Sequence, residues 1–402
     1  MTKKSVLLGI AMYAAQSVFG GGLLTNTNQS VHFLRNPARD ASTEIDAVYT
    51  NPAGLAFLAS DGFFFSLNNQ SAFQKRSITA TFAPFAGFGD NATKNYEGKA
   101  SALFIPSFQA AYKTGKWTVS GAFAIVGGGG TVEFKQGLPS FEAQVATLPG
   151  MANAMLTPMG GSITQYSLEQ SLQGSSIIYG AQLGATYQIN NLLSVYAGVR
   201  TSIVNNGYEG SLKNIQINPT IPGTPFNGAM MPAGTFIGTL AGMGYIPQAI
   251  ADNILTQVAD KEIDLTQSGL GFAPIFGVDF KYNNLNIGAK YEFKTAIDVK
   301  NKTVAGKDAG MPNFADEVKT PYDIPALLTV GAQYAISSAW SVSAGYHHFF
   351  DSDAKAVDNK QEKINGGINE FLAGVEYRIN STFLLSCGGQ ITRSGVTDAY
   401  QS

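Results

Sequence analysis

Residues 193–200 read Leu-Ser-Val-Tyr-Ala-Gly-Val-Arg, an alternation of apolar side chains with polar, aromatic or small ones. Successive side chains of a β-strand point to opposite faces, so this stretch has two unlike faces. One face carries Leu193, Val195, Ala197 and Val199, and the other carries Ser194, Tyr196, Gly198 and Arg200. The first face suits lipid and the second suits a lumen, which is typical of a strand in a transmembrane β-barrel.

The same two-faced pattern recurs along most of the chain, in segments of roughly ten residues, which is the length of a membrane-spanning strand. It is clear at 177–188, 287–294 and 371–378. We predict eleven strands, at about 62–74, 102–113, 116–127, 175–189, 192–206, 266–282, 285–299, 322–336, 339–350, 368–379 and 382–393. The predicted fold class is therefore all-β, an antiparallel transmembrane β-barrel.

The connections between these strands alternate between short and long, which is an independent indication of a barrel. The short links are Thr114-Gly115, Asn190-Asn191, Asn283-Asn284, Ser337-Ser338 and Asn380-Ser381. The links between them are longer, notably at 128–174 and 207–265. Outer-membrane barrels have short periplasmic turns on one rim and long loops on the other. Aromatic side chains near predicted strand ends fit an interfacial girdle, although strand propensity explains them equally well.

Composition excludes several other classes of protein. The formal charge is -2 and only 13% of residues are charged, so there is no electrostatic footprint for nucleic acid. One cysteine, Cys387, cannot form an internal disulfide or a cysteine metal cage. His347 and His348 are adjacent on a predicted strand and point to opposite faces, so they cannot chelate together. We expect no metal, no cofactor and no catalytic residues.

The first twenty residues read as an export signal. Lys3 and Lys4 form a positive region, residues 6–15 are apolar, and Val18-Phe19-Gly20 is a small-residue cleavage site. We therefore predict a signal peptide at 1–20, a second segment at 21–60 and a barrel at 61–402. Bacterial single-chain barrels close with an even number of strands, so eleven predicts that the C-terminal strands are missing.

The segment between the signal and the first strand lacks strand alternation. It contains Asp40-Ala41-Ser42-Thr43 and then the motif Asn51, Pro52, Ala53, Gly54, Leu55. An acidic and small segment followed by Asn-Pro-Ala-Gly-Leu, directly before the first strand of an exported barrel, resembles the N-terminal hatch of the FadL-like family. Members of that family are outer-membrane transporters of long-chain fatty acids and other hydrophobic compounds. The resemblance continues through the strand and loop layout to the end of the chain.

This resemblance implies a barrel of the 14-stranded type in the outer membrane of a Gram-negative bacterium, here with about eleven strands. The N-terminal hatch (residues 21–60) would plug the lumen. Extracellular loops would capture hydrophobic ligands, and a kink in the third strand would release them sideways. Expected partners are hydrophobic small molecules, outer-membrane lipids and the barrel assembly machinery. Arg200 lies where the family's fifth strand carries a basic residue thought to meet the ligand carboxylate.

Other candidate ligand contacts follow from side-chain type. Lys290, Lys294 and Arg378 are luminal by alternation, with a salt-bridge network to Glu292 and Glu376 as the alternative role for these cations. The long links are apolar and rich in methionine, which suits ligands of variable shape. Candidate capture residues there are Phe141, Met151, Met155, Met230, Met231, Phe236, Ile250 and Ile254. The alternative is that the loops simply bury their own apolar faces.

Four consecutive glycines, Gly127, Gly128, Gly129 and Gly130, follow the third predicted strand. Glycines in strands mark bulges, bends and close approach of other backbone. We expect a kink here that opens a lateral gap, or else an ordinary loop start. The sequence disfavours a phosphate-binding loop, because no Lys-Ser or Lys-Thr follows at the required spacing.

The favoured function is a passive channel for hydrophobic molecules such as long-chain fatty acids, with no enzymatic activity. A general porin for small polar solutes would show the same alternation, but a plug argues against an open aqueous lumen. A barrel phospholipase and an adhesin remain further alternatives, although the chain has no Gly-x-Ser-x-Gly motif.

Overall fold

A computed structural model describes residues 24–397 and Tyr400. The predicted signal peptide at 1–20 lies outside these described residues. Eleven strands pair consecutively along one antiparallel sheet. In path order they are β1 (Gly62–Thr81), β2 (Thr93–Thr114), β3 (Trp117–Phe134), β4 (Ser162–Gln188), β5 (Leu193–Thr220), β7 (Lys261–Tyr282), β8 (Leu285–Glu292), β11 (Leu327–Ala335), β12 (Trp340–Phe349), β13 (Ile364–Arg378) and β14 (Leu384–Val396).

Three shorter strands lie off this path. They are β6 (Met231–Pro232), which pairs with β5, and β9 (Asp298–Asp308) and β10 (Lys319–Pro321), which pair with each other. The described helices are α1 (Val31–Arg35), α2 (Ala47–Thr50), α3 (Pro139–Ala146), α4 (Leu148–Leu156), α5 (Ala233–Gly242) and α6 (Gln248–Val258). Short 3₁₀ segments occur at Pro52–Phe57, Ala83–Gly87, Thr157–Met159, Pro312–Phe314, Asp351–Asp353 and Val357–Lys363. No described helix combines the length and apolar character needed to cross a membrane.

The all-β, antiparallel, eleven-strand prediction is confirmed. In the described part of the chain, β1 and β14 form the two ends of the strand path and are not paired with each other. The alternation within β5 is also as predicted, since Ser194, Tyr196 and Arg200 are buried while Val195 and Val199 are exposed. One face of the sheet therefore turns inward, and the other presents apolar side chains outward.

The outer face carries a continuous band of exposed apolar side chains. Examples are Phe63, Phe65, Leu67, Leu103, Phe104, Phe108, Leu183, Val195, Val199, Ile203, Phe272, Phe276, Val330, Phe371 and Leu385. Large exposed apolar areas are rare on proteins in water and are expected on a surface that faces lipid. Exposed Trp117, Tyr282 and Trp340 stand at strand ends beside the short turns, where interfacial aromatics are expected.

Asparagine side chains shape two of the short turns. The Asn190 side-chain oxygen accepts from the amides of Leu192 and Leu193 at 2.8 and 2.9 Å. Asn380 repeats this arrangement with Thr382 and Phe383, at 2.8 and 2.9 Å. These bonds satisfy amides that the strand ladder leaves free at a reversal of direction. The five predicted tight links all fall between consecutive paired strands.

The long links are shorter than predicted because the strands continue past the expected boundaries. β3 extends to Phe134 and β4 begins at Ser162, so the connection between them is 135–161 rather than 128–174. β5 extends to Thr220 and β7 begins at Lys261. The extended portions carry polar residues on their outer face, such as Glu169 and Asn214, and so lack the apolar alternation that marks a lipid-facing strand. Two predicted strands are also shorter: 285–299 ends at Glu292 and 322–336 begins at Leu327.

Candidate ligand cleft and luminal hatch

The described part of the hatch lies against the inner face of the sheet, and its Asn-Pro-Ala-Gly-Leu motif is hydrogen-bonded to that face. Thr186 and Ser194 donate their hydroxyls to the carbonyl oxygens of Pro52 and Ala53, both at 2.7 Å. Asn51 donates its amide to the Val278 carbonyl at 3.1 Å. The motif is therefore bonded to three adjacent strands, β4, β5 and β7.

Each residue type in this motif has a local structural reason. The Asn51 side-chain oxygen accepts from the Ala53 amide and caps the 3₁₀ segment that Pro52 begins. Gly54 is required because a Cβ there would lie 2.1 Å from the Ser42 carbonyl oxygen. Leu55 is fully buried in an apolar cluster with Ala47, Val48, Ala111 and Ala122. The motif thus anchors this segment to the inner face of the sheet.

Buried ion pairs hold the rest of the hatch. Arg39 donates to both oxygens of Asp46, at 2.7 and 2.9 Å, and to Glu44 at 2.6 Å. His32, Glu44 and Asp46 are close enough to share a metal ion, but Arg39 already supplies the positive charge at their carboxylates. The hydrogen bond from His32, together with Arg39, lowers the pKa of Glu44 to about 2. This cluster therefore stabilises the hatch through contacts within the hatch itself.

A second cluster joins the hatch to β12 and β13. The two ring nitrogens of His347 lie 2.9 Å from Asp40 of the hatch and 2.9 Å from Glu370. All three side chains are buried. His348 points to the other face, as its place next to His347 predicts, and contacts Asn369 at 2.9 Å. The acidic residue of the Asp40-Ala-Ser-Thr segment is therefore a hatch-to-wall contact, which the sequence did not indicate.

Arg200 is buried and already paired. Its Nη1 lies 2.6 and 2.7 Å from the two oxygens of Glu292, and its Nη2 donates to Gln182 at 2.6 Å. Its guanidinium carbon lies 4.6 Å from the centre of the Tyr49 ring, which belongs to the hatch. This geometry matches the salt-bridge alternative, in which Glu292 neutralises the charge.

The other candidate luminal cations are not brought to one place. Lys290 is buried beside Arg200 and donates to the Tyr49 carbonyl at 3.0 Å. Lys294 is partly exposed and pairs with Asp323 at 3.4 Å, at the side of the loops. Arg378 is exposed at the end of β13, beside a short turn. Only Arg200 and Lys290 share a neighbour, Tyr49.

The glycines at 127–130 lie inside β3, where the pairing with both neighbouring strands is irregular. The β3–β4 pairing has register shifts between Ile125 and Gly127 and between Gly128 and Gly130. On the other side, the β2–β3 ladder is interrupted between the Ser101–Thr131 and Ser107–Ala124 pairs. Gly128 and Gly130 have φ of +92° and +67°, values that favour glycine. β2 and β3 are thus not paired with each other over several residues beside these glycines.

The N-terminal end of the described hatch covers this interruption from the inside. The Asn26 amide donates to the Val126 carbonyl at 2.7 Å, and the Gly128 amide donates to the Leu24 carbonyl at 3.2 Å. Gln29 donates to the Ile125 carbonyl at 2.8 Å, and its own carbonyl accepts from Ser107 at 2.5 Å. Backbone groups freed by the interruption are thereby satisfied by the hatch.

Replacing Gly127 by valine should detach this end of the hatch. A Cβ at Gly127 would lie 2.0 Å from the Leu24 carbonyl oxygen, and neither backbone can move without losing the bonds between them. We expect deuterium exchange in the peptide containing Asn26 to accelerate by about tenfold or more, since its amide protection depends on this contact. Gly389→Val is the matched control, because no atom lies within 4 Å of a Cβ at that position. Unchanged exchange in the Gly127 variant would contradict the contact.

Above the barrel, helices α4, α5 and α6 enclose an apolar cleft of about 390 Å³. Four predicted capture residues, Met151, Met155, Ile250 and Ile254, line it. The remaining lining residues are Leu148, Ala152, Ile217, Ala233, Ile237, Ala249, Asn253, Gln257 and Val258. The cleft is mostly apolar with two amide side chains, the usual composition of a site for a small hydrophobic ligand.

The other four predicted capture residues lie elsewhere. Phe236 is completely buried in the cluster beneath the cleft, and Met231 packs against that cluster. Phe141 belongs to a separate cluster with Phe134 and Leu138. Met230 is exposed. Helical spacing would have been the better signal, since positions 148, 151, 152 and 155, and 250, 254, 257 and 258, each fall on one helix face.

The antiparallel, curled sheet with its outward apolar face defines a class of fold, that of transmembrane β-barrels. No family model and no curated protein matches the chain. Among solved structures, a toluene transporter of P. putida, TodX, is similar over 87% of this chain and 79% of its own, with 15% identity and a TM-score of 0.50.

The toluene transporter TbuX of Ralstonia pickettii matches 87% of this chain and 82% of its own, at 16% identity and a TM-score of 0.48. A Pseudomonas aeruginosa FadL homologue matches 93% and 91%, at 11% identity and a TM-score of 0.43. The likeness to TodX shows that the chain has the FadL-like fold. The resemblance seen in the sequence is therefore confirmed at the level of fold.

Proposed function

We propose that this chain is a channel of the Gram-negative outer membrane for passive uptake of small hydrophobic molecules. The observation that carries this proposal is the apolar cleft on the loops, because few other arrangements leave such a surface open to water. The solved structures with this fold include two described as toluene transporters. The proposal needs no cofactor and no catalytic group.

The route has three parts. A ligand enters the cleft between α4, α5 and α6, and passes down into the lumen. The hatch blocks straight passage, because its motif is bonded to β4, β5 and β7. The ligand leaves through the interruption between β2 and β3, which lies level with exposed Leu103 and Phe104 on the outer face. Movement of hatch residues 24–29 away from this interruption opens the way into the outer-membrane lipid.

The general porin is the weaker alternative, because a packed hatch leaves little space for water and the exit faces lipid. Insertion would depend on the barrel assembly machinery, as for other outer-membrane barrels. The capture step needs no charge on the ligand, since the cleft lining contains only apolar and amide side chains. Uncharged hydrocarbons and the hydrocarbon chains of fatty acids both match this lining.

Binding of naphthalene, an uncharged aromatic hydrocarbon, tests the proposal. Ile254→Glu should weaken binding by at least about tenfold, because a carboxylate in the cleft must be desolvated when the hydrocarbon enters. The measurement is fluorescence titration of the full chain in detergent micelles. Thr235→Glu on α5 is the matched control, since Thr235 is exposed and does not line the cleft. Equal affinity of both variants and the unmodified chain would refute the cleft as the capture site.

A further inference from the structure

Glu142 on α3 is a buried carboxylate surrounded by donors from the barrel wall. Its exposed fraction is 3%. Tyr96 and Tyr166 donate their hydroxyls to its two oxygens at 2.6 and 2.8 Å, and Lys94 forms a short ion pair with it. We call Lys94, Tyr96 and Tyr166 the carboxylate cradle.

The cradle has the composition of a receptor for one carboxylate. It offers one cation and two hydroxyl donors, from β2 and β4, to a single anionic group. Burial, together with the hydrogen bonds to Glu142, raises the pKa of Tyr96 and of Tyr166, so both hydroxyls keep their protons and act as donors. The Lys94 ammonium also lies 4.6 Å from the centre of the Phe88 ring, which fixes its position above an aromatic wall.

One residue of the cradle packs into the apolar cluster that also lines the cleft. Tyr166 belongs to the same hydrophobic cluster as Ala152, Ile237 and Val258, which line the cleft. α3, which carries Glu142, is followed at once by α4, which forms one side of the cleft. A ligand with its hydrocarbon part in the cleft would thus find the cradle at the edge of the same cluster, where a polar head group would be expected to lie.

We propose that the cradle is a carboxylate-binding subsite of the ligand cleft, and that Glu142 occupies it and so determines specificity against carboxylate ligands. This inference rests on the function proposed above. A tethered carboxylate has an effective concentration in the millimolar range or higher, far above that of a scarce ligand. A second carboxylate beside Glu142 would also meet like charge without a free cation. Arg200 in the lumen is satisfied in the same manner, by Glu292.

The test compares octanoate with 1-octanol, which share a chain length and differ in charge. For the unmodified chain we expect octanol to bind more tightly than octanoate. Glu142→Ala should empty the cradle and strengthen octanoate binding by about tenfold or more, while octanol binding changes little. This gain is the usual contribution of charge-assisted hydrogen bonds to binding. The measurement is isothermal titration calorimetry of the full chain in detergent micelles, with micelles alone subtracted.

Two variants make the result specific. Adding Lys94→Met to Glu142→Ala should abolish the gain for octanoate, because the cation of the cradle is lost. Glu133→Ala removes an exposed carboxylate from β3 and should leave both affinities unchanged, which controls for net charge. Glu142→Gln keeps the side-chain volume and replaces Glu142→Ala in the test if the alanine variant does not fold. We expect it to strengthen octanoate binding by about threefold or more, because the like charge is gone.

The outcomes separate this inference from the proposed function. If octanol binds the unmodified chain but the octanoate affinity is the same in every variant, the subsite is refuted and the capture cleft stands. If neither compound binds the unmodified chain, the cleft itself fails as a ligand site. A gain for octanoate that survives Lys94→Met would also overturn the proposal, because it would not come from the cradle.

Discussion

Arg200→Ala should lower the free energy of unfolding by about 3 to 5 kcal/mol, the usual cost of removing one partner from a buried ion pair. Glu292 would remain in the interior with its charge uncompensated, since both of its oxygens accept from Arg200. Tyr49 of the hatch would also lose the cation stacked on its ring. Urea titration of the full chain in micelles, followed by tryptophan fluorescence, measures the change.

A double-mutant cycle separates the interaction energy between Arg200 and Glu292 from the loss of side-chain packing. In Arg200→Ala with Glu292→Ala, no unpaired charge remains, so we expect much of the loss to be recovered. Arg378→Ala is the control, because that arginine is exposed and its removal should change the free energy of unfolding by about 0.5 kcal/mol or less. Additive single-mutant effects would show that Arg200 and Glu292 do not act as a pair.

The same variant answers whether Arg200 contacts a ligand. If it holds a carboxylate, Arg200→Ala should weaken octanoate binding by about 10- to 150-fold and leave 1-octanol nearly unchanged. If it is structural, both ligands should be affected alike through the stability of the barrel. Both Glu292 oxygens accept from Nη1 of Arg200, which favours the second result.

Removal of the hatch should expose the inner face of β5 to water. Ser194 is fully buried, and its hydroxyl donates to Ala53. In a Cys387→Ser background, Ser194→Cys should react slowly with a water-soluble thiol reagent. Deleting residues 24–58 should accelerate this reaction by about 100-fold or more, because the shielding backbone is gone. The folded protein is labelled under native conditions, and mass spectrometry measures the extent of labelling over time.

Asn191→Cys provides the matched control for this experiment. Asn191 is exposed in the turn before β5, so labelling there should proceed at the same rate with and without the hatch. Fast labelling of Ser194→Cys in the full chain would contradict the proposal that the hatch plugs the lumen. Slow labelling in the deletion variant would assign the protection of Ser194 to another part of the chain.

The sequence predicted the barrel because a strand between lipid and lumen must alternate its side chains, as Val195, Tyr196 and Val199 do. It also predicted the short turns, where the Asn190, Ser337 and Asn380 side chains accept hydrogen bonds from nearby backbone amides. It misplaced the upper ends of β3, β4 and β5, because beyond the lipid neither face of a strand needs to be apolar. Local pattern carries no information on this boundary.

Contacts between segments far apart in the chain could not be predicted either, because they depend on how the folded segments pack. Asp40 and His347 are more than three hundred positions apart, and only the closed packing of hatch on wall brings them to 2.9 Å. The partner of Arg200 was among the anticipated acids, yet alternation alone could not choose between Glu292 and Glu376. Glu142 looked like one charge on a loop helix, and its donors from β2 and β4 became visible only in three dimensions.

β4 and β5 extend far beyond the exposed apolar band of the sheet. These strands have 27 and 28 residues, whereas the exposed apolar band on β5 ends near Ile203. The portion from Val204 to Thr220 rises roughly 40 Å above the band, at ~3.3 Å per residue and a tilt of about 40°. The proposed capture cleft therefore stands beyond the headgroup layer, so a ligand would be captured in water and would descend the length of this extension before it reached lipid.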